Sequence, residues 1–307
     1  MRALGVIGRI LIGAGVVILL FAAYQVWGTS LQEAHTQTAL RHTFVSDAKS
    51  NQLEQALNQA TAQDALPTGP PAVAPTTNAP AEGQPVGDLR IPKIGINQIM
   101  VEGTNTQDLR KGPGHYTGTP LPGQSGNASV AGHRTTYGHP FYNLDGVAVG
   151  DPVVVTTVQG VFVYDAVKSE VVSPNDNSVL NNTSGHMLTL TTCNPRFSAS
   201  SRLVVVAQLA HSKLFSGVAA AKPPTANTHP SQTAQPSSGA LGGASDGQVL
   251  TAVLWGIVVC GVGALVLMMA YFFRRQRWFI WGVGTVGVVV LLYFFFGAVT
   301  PLLPASL

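Results

Sequence analysis

The stretch LTLTTCNPRFSASSRLVVVAQL (188–209) decides how this chain is read. LTLTT has the composition of a β-strand, and it ends at Cys193. Nine residues later Arg202 opens a second strand-like run, RLVVVAQL. Of the two cysteines in the chain, only Cys193 lies outside a membrane-type hydrophobic run. Compartments outside the cytoplasm oxidise or pair structural cysteines, so an unpaired thiol in an exported domain is unusual. One kept at a strand end reads as a nucleophile.

The export argument comes from composition. Of 307 residues only 10% are charged and 46% are hydrophobic, whereas a soluble domain carries about a quarter charged residues. Residues 10–27, ILIGAGVVILLFAAYQVW, are long enough to cross a bilayer, which takes about 20 apolar residues. Arg2 and Arg9 precede them, so residues 1–9 are expected in the cytoplasm. No small-x-small cleavage site follows, which favours a retained anchor over a cleaved signal peptide. Two further apolar runs, 249–273 and 278–299, flank the basic hairpin Arg274-Arg275-Gln276-Arg277. The positive-inside bias places that hairpin in the cytoplasm, the middle of the chain outside, and the tail 300–307 outside as well. The expected location is a multi-pass plasma-membrane protein with an extracellular domain. Cys260, inside one apolar run, reads as a packing residue. The net charge of +3 includes the topological arginines, and no basic stripe with interleaved aromatics is present, so nucleic acid is excluded as a partner.

Outside the membrane runs, residues 28–60 are expected to form a helical stalk, read as a solvated spacer without a binding role. The Pro/Ala/Thr-rich stretch 61–87 and the stretch 212–248 are expected to be flexible linkers. Between them, 88–211 forms one domain of short β-rich runs: 99–101, 128–131, 152–158, 161–167, 171–173, 187–192 and 203–209. Many short strands with glycine-rich turns imply an all-β sandwich or closed barrel, and composition alone does not choose between them.

An acyl-transferring thiol needs a base or cation nearby and a donor for the oxyanion. Five histidines are available: His115, His133, His139, His186 and His211. His133 follows the strand-like SVAG run and would project from a strand end into a loop, as Cys193 does. Arg202 opens the strand adjacent to the thiol strand, while Arg196 is three residues from Cys193 and could orient the loop or meet solvent. Arg134 adjoins His133, and Arg90 and Arg110 read as surface charges. No carboxylate lies within HRTTYG or between Cys193 and Arg202, so Cys-His-Arg fits more simply than Cys-His-Asp, with Asp145, Asp151 and Asp165 left open. No Cys/His cluster has metal-ligand spacing, and no metal or cofactor is expected.

Four segments in this order, IPKIGI (91–96), LRKGPGHYTGTPLPG (109–123), GNASVAGHRTTYG (126–138) and LTLTTCNPRFSASSRLVVVA (188–207), resemble sortases, the membrane-anchored cysteine transpeptidases of Gram-positive bacteria. The HRTTYG and TLTTCNP wording is most similar to class E sortases of actinobacteria. The resemblance spans about 88–210 and implies an eight-stranded β-barrel. It assigns Cys193 as nucleophile, His133 as general acid/base and Arg202 as the oxyanion- and substrate-contacting arginine. Tyr137, Thr192, His115 and Arg196 are the substrate-side candidates.

The implied partners are secreted proteins with a C-terminal sorting signal, LAxTG-like rather than LPxTG, and an amine on a peptidoglycan precursor or a pilin. A hydrolytic cysteine peptidase and a non-catalytic membrane-tethered scaffold are the competing readings. Two terminal apolar spans depart from the single-anchor pattern, and His139 stands where a small apolar residue is expected. The stretch 61–87 has no aspartate-aromatic lid motif, which favours wall attachment over pilin polymerisation.

Overall fold

Valine, isoleucine and threonine dominate the strand segments, and their branched side chains suit a pleated surface buried on one or both faces. In the computed structural model, which describes residues 2–48, 51–59, 66–218, 220, 246–273 and 277–300, these segments close into a barrel. The strands are β1 (Pro85–Ile91), β2 (Ile96–Glu102), β3 (Gly114–His115), β4 (Gly126–Ala131), β5 (Pro152–Thr157), β6 (Gly160–Val172), β7 (His186–Asn194) and β8 (Ser201–Leu214). Their order around the barrel is β1-β2-β3-β4-β7-β8-β6-β5, with the one-turn helix α4 (Thr106–Leu109) between β2 and β3 in the chain. Two pairings are parallel, β2 with β3 and β4 with β7, and the rest are antiparallel. Leu89, Ile91, Met100, Val130, Leu188, Leu190, Val205 and Phe162 belong to one buried core cluster. Tyr164 joins them with its hydroxyl accepting from the Gly123 amide at 2.6 Å.

The chain divides into two units, 30–240 with 306–307 and 1–29 with 241–305. The barrel unit departs from the sequence expectation in three places. First, β1 was not among the expected strands, because PVGDLRI carries glycine and two charges. Those charges are buried and paired: Asp88 accepts from Arg90 Nε at 2.5 Å and from Arg41 Nη2 at 2.9 Å, and Arg90 Nη2 donates to the Leu57 carbonyl at 2.8 Å. Second, the expected runs 161–167 and 171–173 are one strand, β6, bent by register shifts at Val163/Tyr164 and Ala166/Lys168.

Third, the stretches read as spacer and linker lie against the barrel. Helices α2 (Thr29–Ala48) and α3 (Asn51–Gln59) bury Leu40, Phe44, Leu53 and Leu57 in a cluster with Ile99, Val101, Val154, Val161, Val163 and Phe215. Transfer of each such side chain from water is worth about 1.5–3 kcal/mol before entropy is counted. Residues 66–84 then cross the end of the barrel where β4 begins. Ala72 exchanges hydrogen bonds with the Ser212 hydroxyl, at 2.6 and 2.8 Å. The Ala74 amide donates to Gly123 O at 2.8 Å, Gln159 Nε2 to Pro75 O at 2.8 Å, and His211 Nδ1 contacts Gly69 O at 3.0 Å. Proline in that stretch removes donors, yet its carbonyls remain acceptors, and barrel side chains use them. The spacer residues 49, 50 and 60, linker residues 61–65, most of the second linker, the hairpin residues 274–276 and the tail 301–307 fall outside the described residues.

The second unit holds α1 (Arg2–Ala23), a π-helical stretch (Tyr24–Gly28), α5 (Asp246–Phe272) and α6 (Arg277–Val299). Within α5 and α6, Leu250–Ala270 and Ile280–Val299 are long and apolar enough to cross a membrane; the apolar part of α1, Leu11–Ala23, is shorter. Tyr24 packs edge-on to Tyr293 with ring centroids 5.3 Å apart, and Phe21 packs likewise on Phe296 at 5.1 Å.

Candidate active site

The parallel pairing of β4 with β7 and the antiparallel pairing of β7 with β8 bring three chain ends to one rim of the barrel. Cys193 and Arg202 are direct cross-strand partners in the β7–β8 ladder. Such partners share a face with Cβ atoms about 5 Å apart. On the other side of β7, Ala131 is level with Thr191, and the Gly132 amide donates to Thr191 O at 3.1 Å. His133, two residues beyond Ala131, therefore leaves its strand at the height where β7 reaches Cys193. Sequence separations of 60 and 9 residues become one neighbourhood through strand register alone.

Cys193 is a free, half-buried thiol. The imidazole of His133 keeps its Nε2 shielded from solvent and without a hydrogen-bond partner. Burial first, and the Arg110 cation second, push its pKa down to about 4, so the ring is neutral at physiological pH. A neutral imidazole with a free nitrogen can take a proton from a thiol. Arg202 is half-buried, with Nη1 3.3 Å from the carbonyls of Ala199 and Ser201. The phenol of Tyr116 feels both Cys193 and Arg202, and its hydroxyl lies 3.1 Å from Thr191 Oγ1.

The other candidates fall around this rim in different ways. Tyr137 is buried, its ring centroid 5.2 Å from that of His133 and under the Arg110 guanidinium at 5.4 Å. Burial raises its phenol pKa, partly countered by Arg110. Thr192 is turned inward, its hydroxyl donating to Gly132 O at 2.7 Å, which ties the strand that carries Cys193 to the residue before His133. His115 is fully buried, held by Glu102 at 2.7 Å, Pro120 O at 2.9 Å and Thr119 Oγ1 at 3.0 Å. Arg196 stacks on Tyr142 at 4.5 Å and grips Asp145 at 2.9 and 3.1 Å, so it clamps the β7–β8 loop to the 142–145 loop. His139 is exposed, while His186 and His211 lie at or near the opposite end of the barrel.

Four neighbours of the site were not singled out in the sequence. Arg134 is buried, with Nη1 donating to Cys193 O at 3.2 Å and to Asn194 Oδ1 at 2.7 Å, and Nη2 3.2 Å from Asp145. Its place beside His133 was the available signal. Tyr116 stands next to His115 in the GPGHY motif, a signal also present in the sequence. Arg110, read as a surface charge, instead lies over Tyr137. Glu33, from the helix read as a spacer, is buried against Gly138. Neither of these two has a local signature, since tertiary packing alone brings it here. Among the described residues, no group of three His, Cys, Asp or Glu side chains converges as a metal set.

Residues 89–210 match the sortase domain family. Sortase SrtE1 of Streptomyces coelicolor is 34% identical over 215 residues, which are 65% of this chain and 55% of that protein. Sortase SrtE2 of the same organism is 30% identical over 239 residues, 70% of this chain and 85% of the relative. The solved structure of sortase E from Streptomyces avermitilis is 38% identical, covering 44% of this chain and 93% of that one with a TM-score of 0.41. The chain thus spans about half the length of one relative and most of the other. With a closed eight-stranded barrel and the sortase domain carried on it, this protein belongs to the sortase family.

Proposed function

We propose that this chain is a membrane-held cysteine transpeptidase that cleaves a C-terminal LAxTG- or LPxTG-like sorting signal and transfers the protein to a cell-wall amine. The observation that carries the reading is the cross-strand pair Cys193–Arg202 beside the loop that bears His133. Cys193 gives its proton to the neutral His133 and its sulfur attacks the Thr-Gly carbonyl carbon. Arg202 donates to the resulting oxyanion, a fixed cation where negative charge develops. The imidazolium then protonates the leaving glycine amine, the C–N bond breaks, and a thioester to Cys193 remains. An incoming amine, from a peptidoglycan precursor or a pilin lysine, attacks the thioester and passes its proton to His133. The thiol is restored as the new amide forms. Tyr137, Thr192, His115 and Arg196 then act mainly by holding the groove and its loops. The apolar helices α5 and α6, with α1, would hold the catalytic unit at the outer face of the plasma membrane.

The test is incubation of the full chain in detergent with an LAxTG or LPxTG peptide, with and without an amine. A thioester on Cys193 by intact mass, and amine-capped peptide as product, are expected, both lost in Cys193→Ala. Hydrolysed peptide alone, even with excess amine, would make the protein a peptidase. No acyl-enzyme with the thiol intact would remove both enzymatic readings.

A further inference from the structure

The turn after His133 is strained, and a helix from outside the barrel leans on it. Tyr137, Gly138 and His139 have φ of 49°, 69° and 37°, three successive left-handed residues of which two are not glycine. Each non-glycine residue in that region costs on the order of 1 kcal/mol and persists only where its surroundings impose it. The turn is closed by His139 N donating to Thr136 O at 2.9 Å and Phe141 N to His133 O at 3.1 Å. Its shape brings the Tyr137 ring onto the His133 imidazole.

From α2, Glu33 packs on this turn so closely that a Cβ on Gly138 would overlap its carboxylate Oε2. Glu33 is only 4% exposed, and its Oε1 has no hydrogen-bond partner. One helical turn on, Gln37 lies on the same face of α2. Its amide donates to Ile99 O at 2.9 Å and Lys111 O at 2.7 Å, and it accepts from Ile99 N at 2.7 Å. Lys111 follows Arg110, whose guanidinium covers Tyr137. The same helix face thus fixes the residue next to Arg110 and the residue next to Tyr137. A buried side chain with an unpaired polar atom is costly, so its retention at this contact calls for a role.

We propose that α2 is a brace for the histidine loop, with Glu33 as a positioning residue that holds the 137–139 turn and, through Tyr137, the His133 ring. The consequence for turnover rests on the transpeptidase reading; the brace itself does not. In the full chain, Glu33→Ala should speed amide hydrogen exchange in segments covering 133–142 about tenfold while β4 and β7 stay protected. With peptide, the rate of acyl-enzyme formation at saturation should fall about tenfold with half-saturation unchanged within about twofold, since misplacement of a reacting group lowers rate rather than binding. Glu33→Gln keeps the shape and should stay near wild type in both measurements. Gly138→Ala should loosen the loop by collision with Glu33, and adding Glu33→Ala should restore part of its protection and rate.

Unchanged exchange in Glu33→Ala, or a double variant no better than Gly138→Ala alone, would overturn the brace. Should wild type form no acyl-enzyme, the transpeptidase reading fails, and the exchange measurements still decide the brace.

Discussion

At the residue scale, the proposed reaction depends on a donor that must be aimed and a proton that must be moved. Arg202 offers a planar fork of donors that needs only to be aimed, and the carbonyls of Ala199 and Ser201 aim it. Removing it in Arg202→Ala is expected to lower kcat/KM for the sorting peptide by about 10²–10³, the loss typical of an oxyanion donor. Arg202→Lys should recover little, because a point charge on a flexible stem cannot reproduce the planar fork. Recovery to within tenfold of wild type by lysine would show that charge alone suffices. His133 behaves oppositely. Burial and Arg110 keep it neutral, so in the proposed reaction the imidazolium forms only as the thiolate does. That is consistent with a thiol that is kept inactive until a substrate is bound.

At the element scale, register converts a list of motifs into a site. The strand-forming character of 128–131, 187–192 and 203–209 was legible, because valine, leucine and threonine there sit between loop-forming glycine and proline segments. That β4 and β7 run parallel and adjacent was not legible, since parallel partners are joined by long connections and leave no local trace. Cys193 stood out by itself as a lone thiol at a strand end, whereas the resemblance chose His133 and Arg202, because spacing had left the histidines and arginines as rivals. β1 was missed because its glycine and two charges are unlike a strand and Arg90 read as a surface charge; only the tertiary pairing with Arg41 and the Leu57 carbonyl makes Asp88 and Arg90 interior. Thr192 shows how one element fixes another. Its hydroxyl satisfies the Gly132 carbonyl across the β4–β7 seam, and Thr192→Val would delete the donor while preserving shape. The expected cost is about 1–2 kcal/mol, from a carbonyl left unsatisfied. It should be accompanied by faster hydrogen exchange near His133, and stability equal to wild type would mean that the bond contributes nothing net.

At the scale of the whole barrel unit, the helices and the crossing strap behave as parts of the fold. A fragment 85–218 lacks Leu40, Phe44, Leu53 and Leu57, and leaves Ile99, Val101, Val154, Val161 and Val163 facing water. At about 1.5–3 kcal/mol per lost side chain, that deficit rivals the 5–15 kcal/mol by which a domain is stable. Residues 30–218 are therefore expected to give a monomeric, cooperatively unfolding protein, and 85–218 an aggregated or unfolded one on gel filtration. Equal urea midpoints would show the helices to be dispensable. The same unit carries two buried groups with opposed titrations. The native state holds His133 at about 4 against an ordinary 6.5, so it binds fewer protons than the unfolded chain, and stability rises with pH between those values. Burial raises Glu33 from 4.5 to about 7, so the native state binds more protons, and stability falls with pH across that interval. Each effect is on the order of 3 kcal/mol, and over the shared interval they largely cancel. Glu33→Gln removes only the falling limb. The stability of that variant relative to wild type should therefore increase by on the order of 3 kcal/mol from pH 4.5 to 7.5, read by urea unfolding of 30–218 with circular dichroism. A difference that does not change with pH would mean that the Glu33 carboxyl is not desolvated against the histidine loop.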